Sequence, residues 1–442
     1  MDKMSNNNPE INCELAVIGA GMAGMASAMF ASNRGISTVQ VGITSGIIFA
    51  SGLIDLMGVH PISDGKIWEN PWKAIDALIH DIPKHPFARI NKDDIHKALE
   101  EFLAFMNDAG LPYCRHKNRN AKMIMPVGTV KHTCCVPKTM WNGVLALEKK
   151  YPCLIIDIRG LRGFSARQIT ETLKASWPAL RHARISFPNT DNLEEVYTEP
   201  VARSLSLSEN RKALAQIVIP HLKDARMVGF PAIFGINDSV EIYSDLQDMI
   251  GVPIFEIPTM PPSITGFRIK ETFETQLPKK GVRLLLQKKV LKVHRNKDGF
   301  VLDIGGPDTE YTVKTKGIIL ASGRFLGRGL HADRKQIRES IFDLPVFQVG
   351  ERKKWHSQNF LDPKGHLINM AGLEIDDTFR PLDSSGKPAF NTLFAAGSIL
   401  AHQDWMRMKC GSGLAIASAY AAVNAFKERN RSKVQSSRFK VR

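Results

Sequence analysis

The strongest constraint on this chain lies in residues 13–42. Residues 15–18 are a short apolar run that reads as a buried parallel strand. Gly19, Gly21 and Gly24 then follow at G-x-G-x-x-G spacing, and 22–32 continues as a helix of small residues. Gly35 ends that helix and 37–41 begins the next apolar strand, which completes a β-turn-α-turn-β unit. In such a unit Gly19 permits the tight turn and Gly21 lets a phosphate reach the backbone. Gly24 lets helix and strand approach closely. The free N–H groups and positive dipole end of the helix favour an anion there. A nucleotide site is the expectation, with a tight turn that binds nothing as the alternative.

One residue usual to such sites is missing. An Asp or Glu about 20 residues on normally accepts hydrogen bonds from an adenosine ribose. Val39-Gln40-Val41-Gly42-Ile43 offers no carboxylate. That argues against an ordinary NAD site and leaves room for a flavin lacking the adenosine half.

At 442 residues the chain is expected to form two or three domains. No apolar run approaches the roughly 20 residues that span a bilayer. The polar start lacks a secretory stretch, so a cytoplasmic protein is expected. The six cysteines form no C-x-x-C, so reduced thiols and no metal centre are expected. The net charge of +15 is localised. Residues 112–138 hold six Lys or Arg and no acid, and 425–442 hold seven against Glu428. Such segments are either solvated surface or docking elements for an acidic partner or anionic membrane face. Nucleic acid is not expected, since no matching motif accompanies the charge.

The pattern along the chain predicts an α/β protein: a Rossmann-like flavin-binding domain with a parallel sheet, plus an inserted α/β cap domain. Residues 1–150 form the first part of the flavin-binding domain, and 151–262 the cap. Residues 263–428 return to the first domain, and 429–442 form a basic disordered tail. Residues 61–90 read as irregular and 93–109 as an amphipathic helix ended by Gly110. Ser263 is placed to cap a helix, and 290–294 with 300–304 reads as a β-ribbon.

Three glycine-terminated strands stand far apart, at 19–24, 321–323 and 397–413. In a parallel sheet their ends can gather on one edge, where open α/β folds bind ligands. Gly19, Gly21, Gly24, Gly323, Gly397, Ser398, Gly411 and Gly413 are therefore candidate cofactor contacts. Ser51 and Gly52, in the Gly/Ser-rich loop after the second strand, join them. The helix opening at Gly411-Ser412-Gly413 brings a second positive end, suited to the pyrimidine edge of a reduced flavin. Residues 43–57 contain no His or Cys, so the flavin is expected to be bound non-covalently.

The chain resembles the B subunit of the anaerobic glycerol-3-phosphate dehydrogenase. The resemblance rests on Phe49-Ala50-Ser51-Gly52-Leu53-Ile54-Asp55-Leu56 and on Leu320-Ala321-Ser322-Gly323-Arg324-Phe325. It is most specific in Ile257-Pro258-Thr259-Met260-Pro261-Pro262-Ser263 followed by Gly266-Phe267-Arg268. It implies an oxidoreductase subunit that carries FMN, with FAD as the alternative. That protein works with an A subunit that oxidises glycerol 3-phosphate to dihydroxyacetone phosphate. An iron–sulfur C subunit anchors the pair at the inner face of the cell membrane and passes electrons to quinone.

Arg268, early on a helix, is a candidate holder of a phosphate or carboxylate, with a salt bridge as the alternative. His402, Arg407 and Lys409 lie between the last strand and helix, and no residue is assigned as catalytic base. Two other readings fit the residues. One is a stand-alone flavin oxidoreductase of the fumarate-reductase type, and the other is a flavin-fold docking subunit without cofactor.

Overall fold

The computed structural model describes residues 8–43, 46–190 and 192–439. Thr44 and Ser45 of the glycine-rich loop, and 440–442 of the tail, lie outside them.

The chain's first strand, β1 (Glu10–Ile18), lies in the interior of a seven-stranded sheet. Its four last residues are buried, as an apolar run between two parallel neighbours must be. One neighbour is β2 (Thr38–Gly42), reached through α1 (Met22–Asn33). The other is the long strand Thr309–Leu320, paired in parallel register from Glu10↔Thr312 to Ile18↔Leu320. Arg283–Leu286 extends the sheet beyond β2. The far edge of Thr309–Leu320 is shared. Its first half pairs antiparallel with Phe300–Gly305, and its last residues pair parallel with Leu393–Ala395. The expected ribbon forms from Lys289–Arg295 and Phe300–Gly305, so the sheet is mixed. Asn296 Oδ1 accepts from the Asp298 and Gly299 amides and closes its turn.

α1 is almost wholly buried between this sheet and the C-terminal helix Gly411–Phe439. Small side chains permit that depth, and Phe30 meets Tyr420 edge-on at 5.2 Å. Arg34 stacks over Tyr420 and donates to Asn424. The C-terminal helix runs on to Phe439, past Phe426 where the sequence pattern places its end. The stretch 429–439, expected as disordered tail, is therefore helical. No Gly or Pro follows Leu414 to interrupt the helix.

A second helix corrects the reading of 61–90 as irregular. Pro71–Asp81 is helical, with Pro71 in its first turn and Asn70 Oδ1 capping the Trp72 and Lys73 amides. Proline here starts a helix instead of breaking one, since its missing N–H is not needed in the first turn. The amphipathic helix forms over Lys92–Asp108.

Residues between 153 and 257 build a separate four-stranded parallel sheet. Its order is Ile254–Ile257, Met227–Pro231, Cys153–Ile158, Leu180–Ile185. It has its own apolar core around Trp177, Phe230, Phe234 and Phe255. Helix Lys138–Lys149 packs on this sheet, where a Cβ on Gly143 would stand 2.6 Å from the Phe255 ring. The second unit thus takes in sequence ahead of the boundary expected at 151.

The two units meet at the helix Ile264–Lys279. Ser263 Oγ caps it by accepting from the Gly266 amide and donates to Ala50 O. Thr265 donates to the same carbonyl. One turn later Arg268 enters the second unit and pairs with Glu256 through two bonds of 2.6 and 2.8 Å. Its Nε donates to Gly235 O. Both side chains are essentially inaccessible to solvent. Burial pushes the Glu256 carboxyl up. Arg268, with Thr139 and the Phe234 amide, pulls it further down, below the usual carboxylate range.

Arg268→Met strands a carboxylate in the interior and is expected to cost about 3–5 kcal/mol. Adding Glu256→Gln should recover most of that, because a neutral amide can accept from the Phe234 amide through its oxygen and donate to the Thr139 hydroxyl through its nitrogen. Urea denaturation of the wild type, single and double variants checks both. The pair's contribution in the wild type is full above the unfolded carboxylate pKa and is lost as pH falls through the lower folded value.

Candidate functional site

The parallel register that ends at Ile18↔Leu320 brings two glycine turns into contact. Gly19 has φ +134°, and a Cβ there would collide with the Ala321 carbonyl oxygen. Gly24 faces the Gly19 carbonyl so closely that a Cβ would overlap its oxygen. That carbonyl accepts from the buried amide of Gln40 at 2.9 Å. Gly21 differs from both. A Cβ on it would meet nothing within 4 Å, so the backbone at the head of α1 faces open space. The N-terminal amides of α1 are presented there with no side-chain cap. At the end of β2, a Cβ on Gly42 would stand 2.8 Å from the Ala20 amide nitrogen. The glycine loop excludes any side chain at 42.

The third turn completes the edge. Ala396 N donates to Leu320 O, which carries the chain from Leu393–Ala395 into Gly397 at φ +79°. A Cβ on Gly397 would press on Ala23 Cβ at 2.5 Å. Gly323, at φ +72°, lies with its Cβ position 3.6 Å from Ser398 Oγ. Gly19, Gly21, Gly24, Gly323, Gly397 and Ser398 are thus gathered at one end of the sheet.

The other expected residues are placed differently. Gly52, at φ +81°, packs against Thr265, and Ser51 is beside it and half-buried. Gly413 donates to Asp55 O at 2.8 Å, and a Cβ there would stand 2.7 Å from that oxygen. Gly411 packs beneath the Trp405 ring. The second helix N-terminus is therefore stitched to the loop at 54–56, reinforced by Ser412 Oγ accepting from the Asp55 amide at 2.7 Å. Arg268 is corrected outright as an anion holder. Its Nε and both terminal nitrogens are committed to Gly235 and Glu256.

Several polar residues carry no signal in the sequence. Arg324 donates to the carbonyls of Asn369, Leu400 and Gln403 and ties three segments behind the third turn. Burial without a paired carboxylate lowers its pKa to about 10, against the pull of Asp404. Gln403 donates to Gly397 O and Leu400 O, and Ser418 Oγ accepts from the Gly397 amide. Ser322 Oγ, Gln403 Oε1 and Thr259 Oγ1 are buried with no hydrogen-bond partner. A guanidinium or amide that reaches several carbonyls at once holds these turns, and no spacing announces it.

His402 pairs with Glu374 at 2.8 Å and lies against Phe347. Burial still lowers its pKa, outweighing Glu374. Arg407 pairs with Asp404. Lys409 lies against Gly58, and burial with nearby Lys131 disfavours its charge. Chemically, the edge can accept an extended anionic ligand against bare backbone. Among the described residues no carboxylate, imidazole or amine lies within 4 Å of the Cβ position of Gly21 or Gly323.

Residues 14–414 match the FAD binding domain family. The chain is 28% identical over 425 residues to the B subunit of the anaerobic glycerol-3-phosphate dehydrogenase of Vibrio vulnificus (strain YJ016), covering 93% of this chain and 96% of that protein. It is 26% identical over 444 residues to the protein of the same name from Aliivibrio fischeri (strain MJ11), covering 95% and 96%. Among solved structures, an open flavocytochrome c3 fumarate reductase aligns over 95% of this chain and 79% of its own, at 10% identity and a TM-score of 0.42. FMN as first choice is not supported, since the matched family is one of FAD binding domains. The missing ribose carboxylate is a poor guide to that choice, because a neutral oxygen can also accept from a ribose hydroxyl.

The residues present fit such a group. Gly21 opens the head of α1, Gly323 and Gly397 keep side chains off the edge, and Ser322 and Gln403 carry unused polar atoms. Gly21→Asp is expected to lower flavin affinity about 100-fold or more, by setting a carboxylate against phosphate. Gly21→Ala should weaken binding less than Gly21→Asp, since a methyl takes phosphate space without adding charge, and both should fold, because no protein atom occupies the Cβ position. Fluorescence titration of flavin, with circular dichroism as the folding control, checks this.

Proposed function

Because the chain belongs to the FAD binding domain family, we propose that it is the FAD-carrying B subunit of an anaerobic glycerol-3-phosphate dehydrogenase. The observation that carries the reading is the convergence of Gly19–Gly24, Gly323 and Gly397 on one sheet edge, with Gly21 open to solvent. Relatives of nearly equal length bearing that name support it. In this reading Gly19, Gly21 and Gly24 hold the pyrophosphate at the head of α1. Gly323, Gly397 and Ser398 line the path of the ligand, and Gln40, Arg324 and Gln403 keep those turns in place. The loop with Ser51 and Gly52, and the turn at Gly411 and Gly413, bound its far end. Bound FAD would supply hydride and electron chemistry.

This chain works with a catalytic A subunit and an iron–sulfur C subunit, in a complex that is peripheral at the inner face of the membrane and delivers electrons to quinone. Among the described residues no helix is long and apolar enough to cross a membrane, so attachment falls to the partners. The second unit, built on 153–257, acts as the cap that faces them.

Oxidising a hydroxyl to a carbonyl needs a placed group to take the hydroxyl proton as hydride leaves. Among the described residues no such group lies within 4 Å of the Cβ position of Gly21 or Gly323, and Arg268 is committed to Gly235 and Glu256. The isolated chain, with FAD bound, is therefore expected to leave glycerol 3-phosphate unoxidised, and its flavin to be reduced only when the A subunit is added. Anaerobic mixing followed at the flavin absorption band tests this, and acid extraction with mass measurement identifies the cofactor. Rapid bleaching without a partner would place catalysis on this chain. Absence of any bound or bindable flavin would make it a docking subunit.

A further inference from the structure

Cys134 and Cys135 play no part in the glycine edge, yet they bear on the loop beside it. Their sulfurs stand 3.7 Å apart, with the Cys135 thiol donating to Cys134. Cys134 keeps a sliver of exposure, 4%, and Cys135 has none. That hydrogen bond, helped by Arg115 and opposed by burial, holds the Cys134 thiol below its ordinary pKa. The same bond and burial push Cys135 well up. Cys134 is thus the sulfur an oxidant meets first, and Cys135 stands within reach behind it. Two sulfurs this close have the placement of an attacking and a resolving cysteine.

The pair is also tied to Ile54. The amides of Cys134 and Cys135 donate to Ile54 O at 3.0 and 3.1 Å, Thr133 Oγ1 donates to the same oxygen, and Ile54 N donates to Cys135 O. The next residue, Asp55, is the one stitched to Ser412 and Gly413 at the head of the C-terminal helix.

We propose that Cys134 and Cys135 are a modification site for hydroperoxides: a dithiol that closes to a disulfide and in closing frees the loop at 54–56 from the C-terminal helix. In the first step Cys134 sulfur attacks the peroxide. An S–O bond forms, the O–O bond breaks, and the alcohol, or water from hydrogen peroxide, departs. In the second, Cys135 sulfur attacks Cys134 sulfur. The S–S bond forms, the S–O bond breaks, and water leaves with the Cys135 proton. Two thiols are oxidised by two electrons and the peroxide is reduced by two.

Closure must disturb the backbone. Adjacent Cα atoms across a trans peptide are about 3.8 Å apart, whereas disulfides usually join Cα atoms roughly 4.4–6.8 Å apart. No rotation lengthens that spacing, so closing the ring strains the peptide between the two cysteines, and its N–H is one of those bonded to Ile54.

The test treats the full chain with hydrogen peroxide, blocks remaining thiols and maps the products by mass. The wild type is expected to lose two hydrogens from the peptide holding both residues, before Cys13, Cys114, Cys153 or Cys410 reacts, and dithiothreitol should restore it. Cys135→Ser should stop at a sulfenic acid on Cys134 that dimedone traps. Cys134→Ser should react at least about tenfold more slowly. Hydrogen exchange at the Cys134, Cys135 and Gly413 amides should rise about tenfold on oxidation of the wild type only. A first disulfide between Cys134 and Cys114, or equal oxidation rates in Cys134→Ser and wild type, would overturn the assignment. Unchanged exchange after the disulfide has formed would overturn the coupling to the loop.

Discussion

The parallel register of Glu10–Ile18 against Thr312–Leu320 holds the candidate site together. It joins segments separated by most of the chain and ends where the Gly19 backbone touches that of Ala321. No side chain fits that gap, so the first turn must be glycine. The strand Thr309–Leu320 then serves a third segment, since Leu393–Ala395 pairs with its last residues and delivers Gly397 to Ala23. A slip of one residue would turn each buried side chain of 15–18 toward the opposite face. It would also part the three turns, so the candidate site is a consequence of strand register.

A second dependence runs through the head of helix Ile264–Lys279. Ser263 and Thr265 fasten it to Ala50 in the loop after β2, while Arg268 fastens it to Glu256 in the other sheet. Two charges taken out of water are tolerated only where their hydrogen-bonding capacity is met. Gly235, Thr139 and the Phe234 amide meet it here. That requirement fixes how the second unit sits on the first. The Pro-Pro-Ser and Gly-x-Arg pattern, which looks like a ligand signature, is a clamp between the glycine-rich loop and the cap.

Charge is arranged more quietly than its sum suggests. Within 112–138, Arg115, Arg119, Lys122 and Lys131 pair with Glu100, Glu148, Glu69 and Asp55. This stretch is therefore largely neutralised by acids brought to it from elsewhere. The basic residues near the C-terminus continue a helix whose earlier turns hold α1 in place. Asn430 donates to Glu14 and ties that helix to the middle of β1.

Local elements, and the turns that need glycine, are written in the sequence. Apolar runs at 15–18, 153–158 and 317–320, the triplet at 19–24 and the Ser263 cap all follow local rules of period, backbone freedom and capping. Such rules act on neighbours, so they can be read without the fold. The helix at Pro71–Asp81 is legible too, once its proline is read as a first-turn residue and not as a breaker. What each polar side chain meets is settled only by the folded chain. Arg268 looks the same in sequence whether it faces a phosphate or Glu256, and the docking of two sheets makes it a buried partner. Gly411 and Gly413 read like Gly21, yet one lies under Trp405 and the other against Asp55, while Gly21 stays open. Gln40, Arg324 and Gln403 find their carbonyls through turns and strand ends whose meeting no spacing encodes. A glycine's freedom belongs to its own backbone, whereas a hydrogen bond belongs to two places that only tertiary structure brings together.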